Sequence, residues 1–265
     1  MDKKFINGLF SLKGKKIVIL GGAGKLGLNF AKTLKKAGAK VILGDVKKTN
    51  NNFSTFKYCD VSEETSIKNF FNNIIKKEKK INTLIYNVYS KPKDYYKKFE
   101  NYDINVWKNV VDVNLTGAYI ASKVLVNHFK KKKIKGNIIF LSSTYGLVGP
   151  DLSIYKGLSK KNIYGGKYTL TTPAVYSTTK SGLLGLSKYI STSFGKYNIR
   201  SNILSPGGVF DNQEKRFVKQ YSKKVPLGRM AQWKDYNGAI LYLCSDASNY
   251  MTGNNLIVDG GWTAW

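Results

Sequence analysis

The sequence is poor in long apolar runs, cysteine and acidic residues, and each shortage excludes a class of protein. No apolar stretch among the 265 residues is long enough to span a bilayer. The N-terminal segment MDKKFINGLFSLKGKK has neither a continuous apolar core nor a small-residue cleavage site, so we expect no signal peptide, no membrane partner and a cytoplasmic location. The two cysteines, Cys59 and Cys244, lie far apart and match no metal spacing, which predicts buried free thiols and no metal site.

Acidic residues are so few that the formal net charge is +28, with 44 Lys+Arg against 16 Asp+Glu. A charge of this size can indicate a nucleic acid or an anionic membrane as a partner. Only three of the basic residues are arginine, however, and arginine is favoured for base and phosphate recognition. The lysine clusters LKKAGAK, IIKKEKK and HFKKKKIK fall at the C-terminal ends of predicted helices, where the helix dipole favours cations. We therefore expect a solvated lysine face and no nucleic-acid partner.

Short apolar runs alternate with segments of helical period along the chain. Strands are predicted at 15–20, 39–45, 81–86, 136–142, 198–204 and 254–260, with a weaker one at 54–60. Helices are predicted at about 26–37, 103–133, 174–197 and 234–245, and another is predicted to begin near Ser62. This alternation predicts an α/β fold: a parallel sheet of about seven strands with helices on both faces, in a single domain.

A glycine-rich segment, VILGGAGKLGLNF, joins the first predicted strand to the first of these helices. Gly21, Gly24 and Gly27 would allow a tight turn, close approach of a phosphate to the backbone, and close packing of helix on strand. A glycine pattern alone is weak evidence, but here it lies in the strand–turn–helix context that a dinucleotide site requires.

The segment AVYSTTKSG places Tyr176 four residues before Lys180, on one face of a predicted helix. A nearby ammonium favours the phenolate, which would lower the tyrosine pKa and give a proton donor and acceptor useful near neutral pH. The spacing alone does not identify a site, because it also occurs at Tyr89/Lys93 and Tyr119/Lys123.

Several motifs, in order along nearly the whole chain, resemble the compact short-chain dehydrogenase/reductases. They are FSLKGKKIVILGGAGKLG, CDVSEE, LIYNVY, DVNLTGAY, NIIFLSSTYG, YSTTK, RSNILSPGGV and LIVDGG. The resemblance implies a single Rossmann-type doubly wound domain over residues 1–265. It also selects Tyr176 among the three tyrosine–lysine pairs, because only this pair follows the strand that carries Ser143.

The same resemblance implies a catalytic role for four residues. Tyr176 would exchange a proton with the substrate oxygen, and Lys180 would lower its pKa and bind the nicotinamide ribose. Ser143 would hydrogen-bond the substrate carbonyl or hydroxyl, and Asn114 would hold a water in the proton relay.

The resemblance further implies a set of cofactor contacts along the carboxyl ends of the strands. They are Gly21, Gly24, Lys25, Leu26, Gly27, Asp45, Asp60, Val61, Asn87, Tyr176, Lys180, Pro206, Gly207 and Val209. The sequence departs from the family at Leu20, usually threonine, at Lys25, often glycine, and at Tyr86, Val88 and Tyr89, which replace Asn, Ala and Gly.

The expected cofactor is NAD, because Asp45 ends the second predicted strand. An acidic side chain there can bond both ribose hydroxyls and repel a 2′-phosphate. NADP stays an alternative, since Lys25, Lys47 and Lys48 are near in sequence and could accommodate the phosphate.

The connection between Ser143 and Tyr176 is unusually long, and we expect residues 150–172 to form an inserted loop on the substrate side. Its hydroxyls and lysines (Lys156, Lys160, Lys161 and Lys167) suit a polar, anionic, sugar-type substrate: a sugar phosphate, sugar nucleotide or sugar acid. A neutral surface elaboration is the alternative. The SSxYG and SPGG…DNQ arrangement resembles the dehydrogenases of flagellin-modification pathways for nine-carbon sugar acids.

Three functions remain open at this point. The first is an NAD(P)-dependent dehydrogenase or reductase of a secondary alcohol or ketone, the second a 3-oxoacyl thioester reductase, and the third a non-catalytic dinucleotide-binding sensor. The complete set of Asn114, Ser143, Tyr176 and Lys180 argues against the sensor.

A homo-oligomer, a tetramer or dimer, is expected because the helix 174–194 carries much apolar surface and the chain ends in GGWTAW, with Trp262 and Trp265 exposed in a monomer.

Overall fold

The fold is taken from a computed structural model that describes residues 2–161, 167–169 and 171–265; the side chains of Lys3 and of residues 159–170 lie outside the description. The strands are β1 (Lys16–Leu20), β2 (Lys40–Asp45), β3 (Thr55–Tyr58), β4 (Thr83–Tyr86), β5 (Gly136–Leu141), β6 (Ser159–Lys161), β7 (Lys167–Thr169), β8 (Ile199–Pro206) and β9 (Asn255–Val258). The α-helices are α1 (Lys3–Phe10), α2 (Lys25–Lys36), α3 (Glu64–Glu78), α4 (Ile104–Val111), α5 (Gly117–Lys132), α6 (Ala174–Phe194), α7 (Lys215–Ser222) and α8 (Asn237–Cys244).

Seven strands form one sheet in the order β3-β2-β1-β4-β5-β8-β9, and every neighbouring pair in it is parallel. The predicted seven-stranded parallel sheet is therefore confirmed. The chain moves outward from β1 to β3 and then returns to the other side of β1 at β4. This reversal opens a crevice at the carboxyl ends of β1 and β4, where parallel α/β sheets bind ligands.

The sheet is buried on both faces, because successive side chains of its strands enter two separate cores. In β1, Val18 and Leu20 pack in a core with Phe71 of α3, whereas Ile17 and Ile19 pack on the other face with Phe30 of α2. All four β1 side chains are fully buried. Alternate side chains of a strand point to opposite faces, so this division requires helices on both sides.

The predicted helices are present, with differences of detail. The helix predicted at about 103–133 is α4 and α5 joined by a π-helical turn, Asp112–Thr116, which contains the fully buried Asn114. Helices α1 and α7 and the antiparallel hairpin β6–β7 were not predicted.

The lysine clusters lie at the C-terminal ends of α2, α3 and α5, as the dipole argument expects. Within the described ranges, no helix combines the length and apolar character needed to cross a membrane.

Candidate active site

The glycine-rich turn after β1 has no room for side chains at two of its glycines. Gly21 has φ +73°, and a Cβ there would lie 2.7 Å from the carbonyl oxygen of Asn87, the residue that follows β4. A Cβ at Gly27 would lie 2.5 Å from the carbonyl oxygen of Gly21. The Asn87 amide donates to the same Gly21 oxygen over 3.0 Å, so the ends of β1 and β4 are held together.

The N-terminus of α2 is free to bind an anion. Its N-cap, Gly24, supplies no side-chain cap, and the first turn, which includes Leu26, carries no acidic residue. A Cβ at Gly24 would meet nothing closer than 3.6 Å, so the space beside it is open. The first backbone N–H groups of a helix have no partner within the helix and, with the helix dipole, favour a phosphate. The ammonium of Lys25, a predicted cofactor contact, pairs with Asp211 instead, which leaves its backbone N–H for this role.

The Asp45 carboxylate lies at the same turn. One oxygen accepts from the backbone N–H of Ala23 over 3.0 Å, and the other accepts from that of Lys47 over 3.0 Å. The Asp60 carboxylate accepts from the backbone and the hydroxyl of Ser62. The structure thus places Asp45 beside the glycine-rich turn, where it could bond a ribose, and keeps Asp60 in its own local turn.

Four further predicted cofactor residues are described by their backbone contacts. Val61 lies against α5, since a Cβ at Gly117 would be 2.4 Å from its carbonyl oxygen. Pro206 ends β8, and the carbonyl oxygen of Gly207 accepts from the phenol of Tyr236 over 2.9 Å. Val209 forms an isolated bridge with Ala231.

The end of β5 is fastened to α6, which brings Ser143 and Tyr176 together. The Ser142 hydroxyl donates to the backbone oxygen of Lys180 over 2.9 Å, and Ser181 donates to that of Gly146 over 2.8 Å. Ser143 is buried and hydrogen-bonds the phenol of Tyr176. The two ends of the long segment between Ser143 and Tyr176 therefore lie side by side at the site.

Lys180 lies beneath this pair with its ammonium buried. Its Nζ donates to the backbone oxygen of Leu141 over 2.7 Å and lies 5.9 Å from the centre of the Tyr176 ring. Only 4% of the residue is exposed, and this burial lowers the pKa of Lys180 to about 8.

The pKa of Tyr176 differs from the expectation based on sequence. Burial raises it to about 12, while the hydrogen bond from Ser143 and the charge of Lys91 lower it. Lys180 was expected to lower this pKa, but its ammonium is bonded to Leu141 and is not among the main influences on Tyr176. Lys91, which the sequence analysis did not identify, is a further lysine whose charge favours the phenolate.

Asn114 holds the neighbouring segments in place. Its Oδ1 accepts from the backbone N–H of Ser90, 2.9 Å away, and its Nδ2 donates to the hydroxyl of Thr179 over 3.1 Å. Thr179 is on α6, one residue before Lys180, so Asn114 ties the segment after β4 to the catalytic helix. Its predicted water-holding role stays a prediction. π-Helical turns are frequent at functional sites, and this one surrounds Asn114.

Sequence reasoning missed three site residues on the segment after β4. Tyr89 was noted as a departure from the family pattern and in one of the tyrosine–lysine pairs, but not as a site residue, and Lys91 and Tyr96 were not identified at all. In the structure the Lys91 ammonium lies 5.0 Å from the centre of the Tyr89 ring and 5.8 Å from that of Tyr96. The Tyr89 ring also lies 6.0 Å from the ammonium of Lys180.

An aromatic wall, defined as Tyr145, Tyr155, Phe217, Tyr221 and Trp262, borders the site. The Tyr221 and Trp262 rings stack with centres 4.4 Å apart, and the Tyr155 and Phe217 centres are 5.5 Å apart. Tyr176 packs against the same cluster. The prediction that Trp262 is exposed in a monomer is wrong: it is only 7% exposed, because α7 covers it.

The predicted inserted loop, 150–172, is described in part. It contains a short 3₁₀ helix, Leu152–Tyr155, whose buried Ile154 joins the aromatic wall, and the hairpin β6–β7. Lys156 is exposed. Residues 162–166 and 170, and the side chains of Lys160, Lys161 and Lys167, lie outside the described part. The loop therefore contributes Tyr155 to the site, and its other lysines stay predictions.

A buried serine, a half-buried tyrosine, a buried lysine and an anion site at the start of a helix lie along one edge of the sheet. Ser143 can hydrogen-bond an oxygen that Tyr176 protonates or deprotonates, which is general acid–base chemistry. Across the described residues, no group of three or more His, Cys, Asp or Glu could hold a metal ion.

Known protein families match both halves of the chain. The family described as short chain dehydrogenase matches residues 15–165, and the one described as Enoyl-(Acyl carrier protein) reductase matches residues 158–263. The first match alone covers more than half of the chain.

Individual proteins match along nearly the full length. D-arabinitol 2-dehydrogenase (ribulose-forming) of Candida albicans is 26% identical, with 97% of this chain and 95% of the relative covered. Post-translational flagellin modification protein A of Campylobacter coli is 28% identical, with coverage of 95% and 99%. A short chain dehydrogenase from Leptospira borgpetersenii, solved with bound NAD+, is 30% identical, with a TM-score of 0.86 and coverage of 99% and 97%.

Proposed function

Because the chain belongs to the short-chain dehydrogenase family, we propose that it is an NAD-dependent oxidoreductase that interconverts a secondary alcohol and a ketone of a polar, sugar-type substrate. The observation that carries the proposal is the hydrogen-bonded pair of Ser143 and Tyr176, held above the buried Lys180 at the carboxyl end of β5. It lies on the same edge of the sheet as the anion site of α2.

In the oxidising direction, the Tyr176 phenolate takes the hydroxyl proton of the substrate while Ser143 hydrogen-bonds the same oxygen. Bound NAD would supply the acceptor for the hydride that leaves the carbon. Removal of the proton and the hydride leaves a ketone, and the reverse steps reduce it. Lys91 assists by lowering the pKa of Tyr176.

NAD fits the residues at the carboxyl ends of β1 and β2. The open N-terminus of α2 suits the pyrophosphate. The Asp45 carboxylate suits the ribose hydroxyls and would repel the 2′-phosphate of NADP. The related Leptospira enzyme was solved with NAD+.

A polyhydroxylated substrate is supported by the walls of the site and by the relatives. Hydroxyls and an ammonium, from Tyr89, Lys91 and Tyr155, lie near Tyr176. The Candida relative acts on a sugar alcohol, and the Campylobacter relative modifies flagellin. A sugar alcohol or the matching ketose, carrying neutral or acidic groups, suits both the hydroxyls and ammonium of the site and the names of these relatives.

Turnover of a substrate panel, followed by NADH absorbance, tests the proposal. The panel needs pentitols, hexitols, sugar acids, sugar phosphates and 3-oxoacyl thioesters, each with NAD(H) and NADP(H). We expect oxidation of a sugar-type alcohol with NAD. Preferential turnover of a thioester would favour the second candidate, which the match of residues 158–263 to the Enoyl-(Acyl carrier protein) reductase family supports. Binding of NAD without turnover of any member of the panel would favour a sensor.

We further infer a cytoplasmic homo-oligomer. Cys59 and Cys244 are both buried free thiols, which fits a reducing compartment. Large exposed aromatic side chains, among them Tyr189 and Trp265, fit a contact between subunits.

A further inference from the structure

We propose that Lys91 binds a negatively charged group of the substrate, a carboxylate or phosphate, at a fixed distance from the reacting hydroxyl. The inference rests on the proposed function and narrows its substrate class to anionic polyols and their ketones. It places the anion on the segment after β4, whereas the sequence pattern had suggested the lysines of the inserted loop.

The position of Lys91 is the first observation. Its ammonium lies 5.0 Å from the centre of the Tyr89 ring, and the centre of the same ring lies 6.0 Å from the ammonium of Lys180. The Tyr89 ring is thus shared by Lys91 and by the buried lysine of the catalytic helix. Lys91 also lowers the pKa of Tyr155 and Tyr176, so its charge acts on the wall and on the centre of the site.

The charge balance around Lys91 is the second observation. Among the described residues, no carboxylate forms an ion pair with Lys91. The titratable groups that act most strongly on Tyr176 are Tyr89, Lys91 and Tyr155, and none is a carboxylate. The two lysines beside Tyr89 therefore give this part of the site an uncompensated positive charge, whose complement is an anion.

Access is the third observation. Lys91 and Tyr89 are both exposed, and Tyr89 keeps half of its surface. A lysine that packs on two tyrosine rings and still faces solvent can exchange water for a ligand. Tyr89 and Tyr96 also limit where the ammonium can go, which fixes the position of the bound charge.

D-Arabinonate and D-arabinitol form a matched pair of substrates, because they differ only in a terminal carboxylate against a neutral hydroxymethyl group. The measured quantity is the ratio of kcat/KM for the acid to kcat/KM for the neutral polyol. A change in the pKa of Tyr176 alters both values alike and cancels in this ratio. D-Arabinitol 5-phosphate in the same assay distinguishes a phosphate from a carboxylate as the preferred anion.

We expect the wild-type protein to prefer an anionic substrate, and Lys91→Met to reduce the ratio about tenfold or more, with less effect at high salt. Lys91→Arg should keep the preference. Lys93→Met, at an exposed lysine two residues away, is the matched control and should leave the ratio unchanged. Equal losses for acid and polyol in Lys91→Met, or a wild-type preference for the neutral polyol, would overturn the proposal.

Binding measured by calorimetry with NADH present separates this proposal from the proposed function, because it needs no turnover. Binding of D-arabinonate or D-arabinitol 5-phosphate that Lys91→Met abolishes would support the anion site even if no alcohol were oxidised. Equal affinity of the wild type and Lys91→Met for both anions would overturn the site, whatever the catalytic result. Unchanged melting temperatures would establish that the variants fold.

Discussion

The ammonium of Lys180 donates a hydrogen bond to the backbone oxygen of Leu141, 2.7 Å away, at the last residue of β5. The bond holds α6 at the end of the strand that leads to Ser143, and so fixes Tyr176 opposite Ser143. It also places a cation in a nearly solvent-free position, since Lys180 is 4% exposed. The burial of the Lys180 charge at the site therefore lowers the free energy of unfolding.

Lys180→Met should abolish activity and yet stabilise the protein at neutral pH. The folded-state pKa of Lys180 is about 8, below its ordinary value of 10.5, so the folded state binds fewer protons than the unfolded state between these values. The free energy of unfolding therefore rises with pH across this window and is reduced below pH 8, by on the order of 3 kcal/mol.

Urea unfolding of the wild type and of Lys180→Met at pH 7 and pH 10.5, without nucleotide, measures this effect. The stability difference between the two proteins should shift by about 2–3 kcal/mol in favour of the wild type at the higher pH. All other titrating groups are common to both proteins, so their contributions cancel in the stability difference. A difference that does not change with pH would contradict the burial of a charged Lys180.

Tyr176→Phe should lower kcat by at least about a hundredfold, the usual contribution of a positioned acid or base. Only the hydroxyl that bonds Ser143 is lost, so the affinity for NADH should stay nearly unchanged. Tyr119→Phe is the matched control, because Tyr119 has the same spacing to a lysine but is 51% exposed. Loss of activity in the Tyr119 variant alone would mean that the wrong pair was chosen.

Asp45→Asn should move the cofactor preference toward NADP. The amide keeps an oxygen that can accept from the backbone N–H of Ala23, so the glycine-rich turn stays in place, while the charge that repels a 2′-phosphate is removed. The ratio of kcat/KM for NADP to that for NAD should rise about tenfold or more. A wild type that prefers NADPH, or a ratio that does not move, would refute this role of Asp45.

Light scattering at micromolar concentration should give a mass of several 29.7 kDa subunits, with four expected. The structure removes Trp262 from the supporting evidence but leaves Tyr189 at 65% and Trp265 at 80% exposure. Tyr189→Lys should weaken assembly, because it would bury a charge in the contact. A wild-type mass equal to one subunit across the concentration range would exclude the oligomer.

The sequence alone determined the sheet, the glycine-rich turn and the central residues of the site. Buried strands, glycines before a helix, and Tyr176 four residues before Lys180 are local patterns, because they follow from the repeat of a strand or helix or from backbone sterics. These features could therefore be assigned before any contact between distant residues was known.

Only the tertiary structure decided which side chains surround that centre and which charges act on it. Tyr155, Trp262 and the pair Tyr89 and Lys91 come from three segments far apart in the chain, and no spacing in the sequence indicates that these segments meet. The pKa of Tyr176 depends on burial first and then on the partners that folding supplies, among them Lys91, which the sequence pattern did not indicate. The contributions of desolvation and of distant charges to a pKa can be assigned only in the folded chain, because both depend on distances that the complete fold sets.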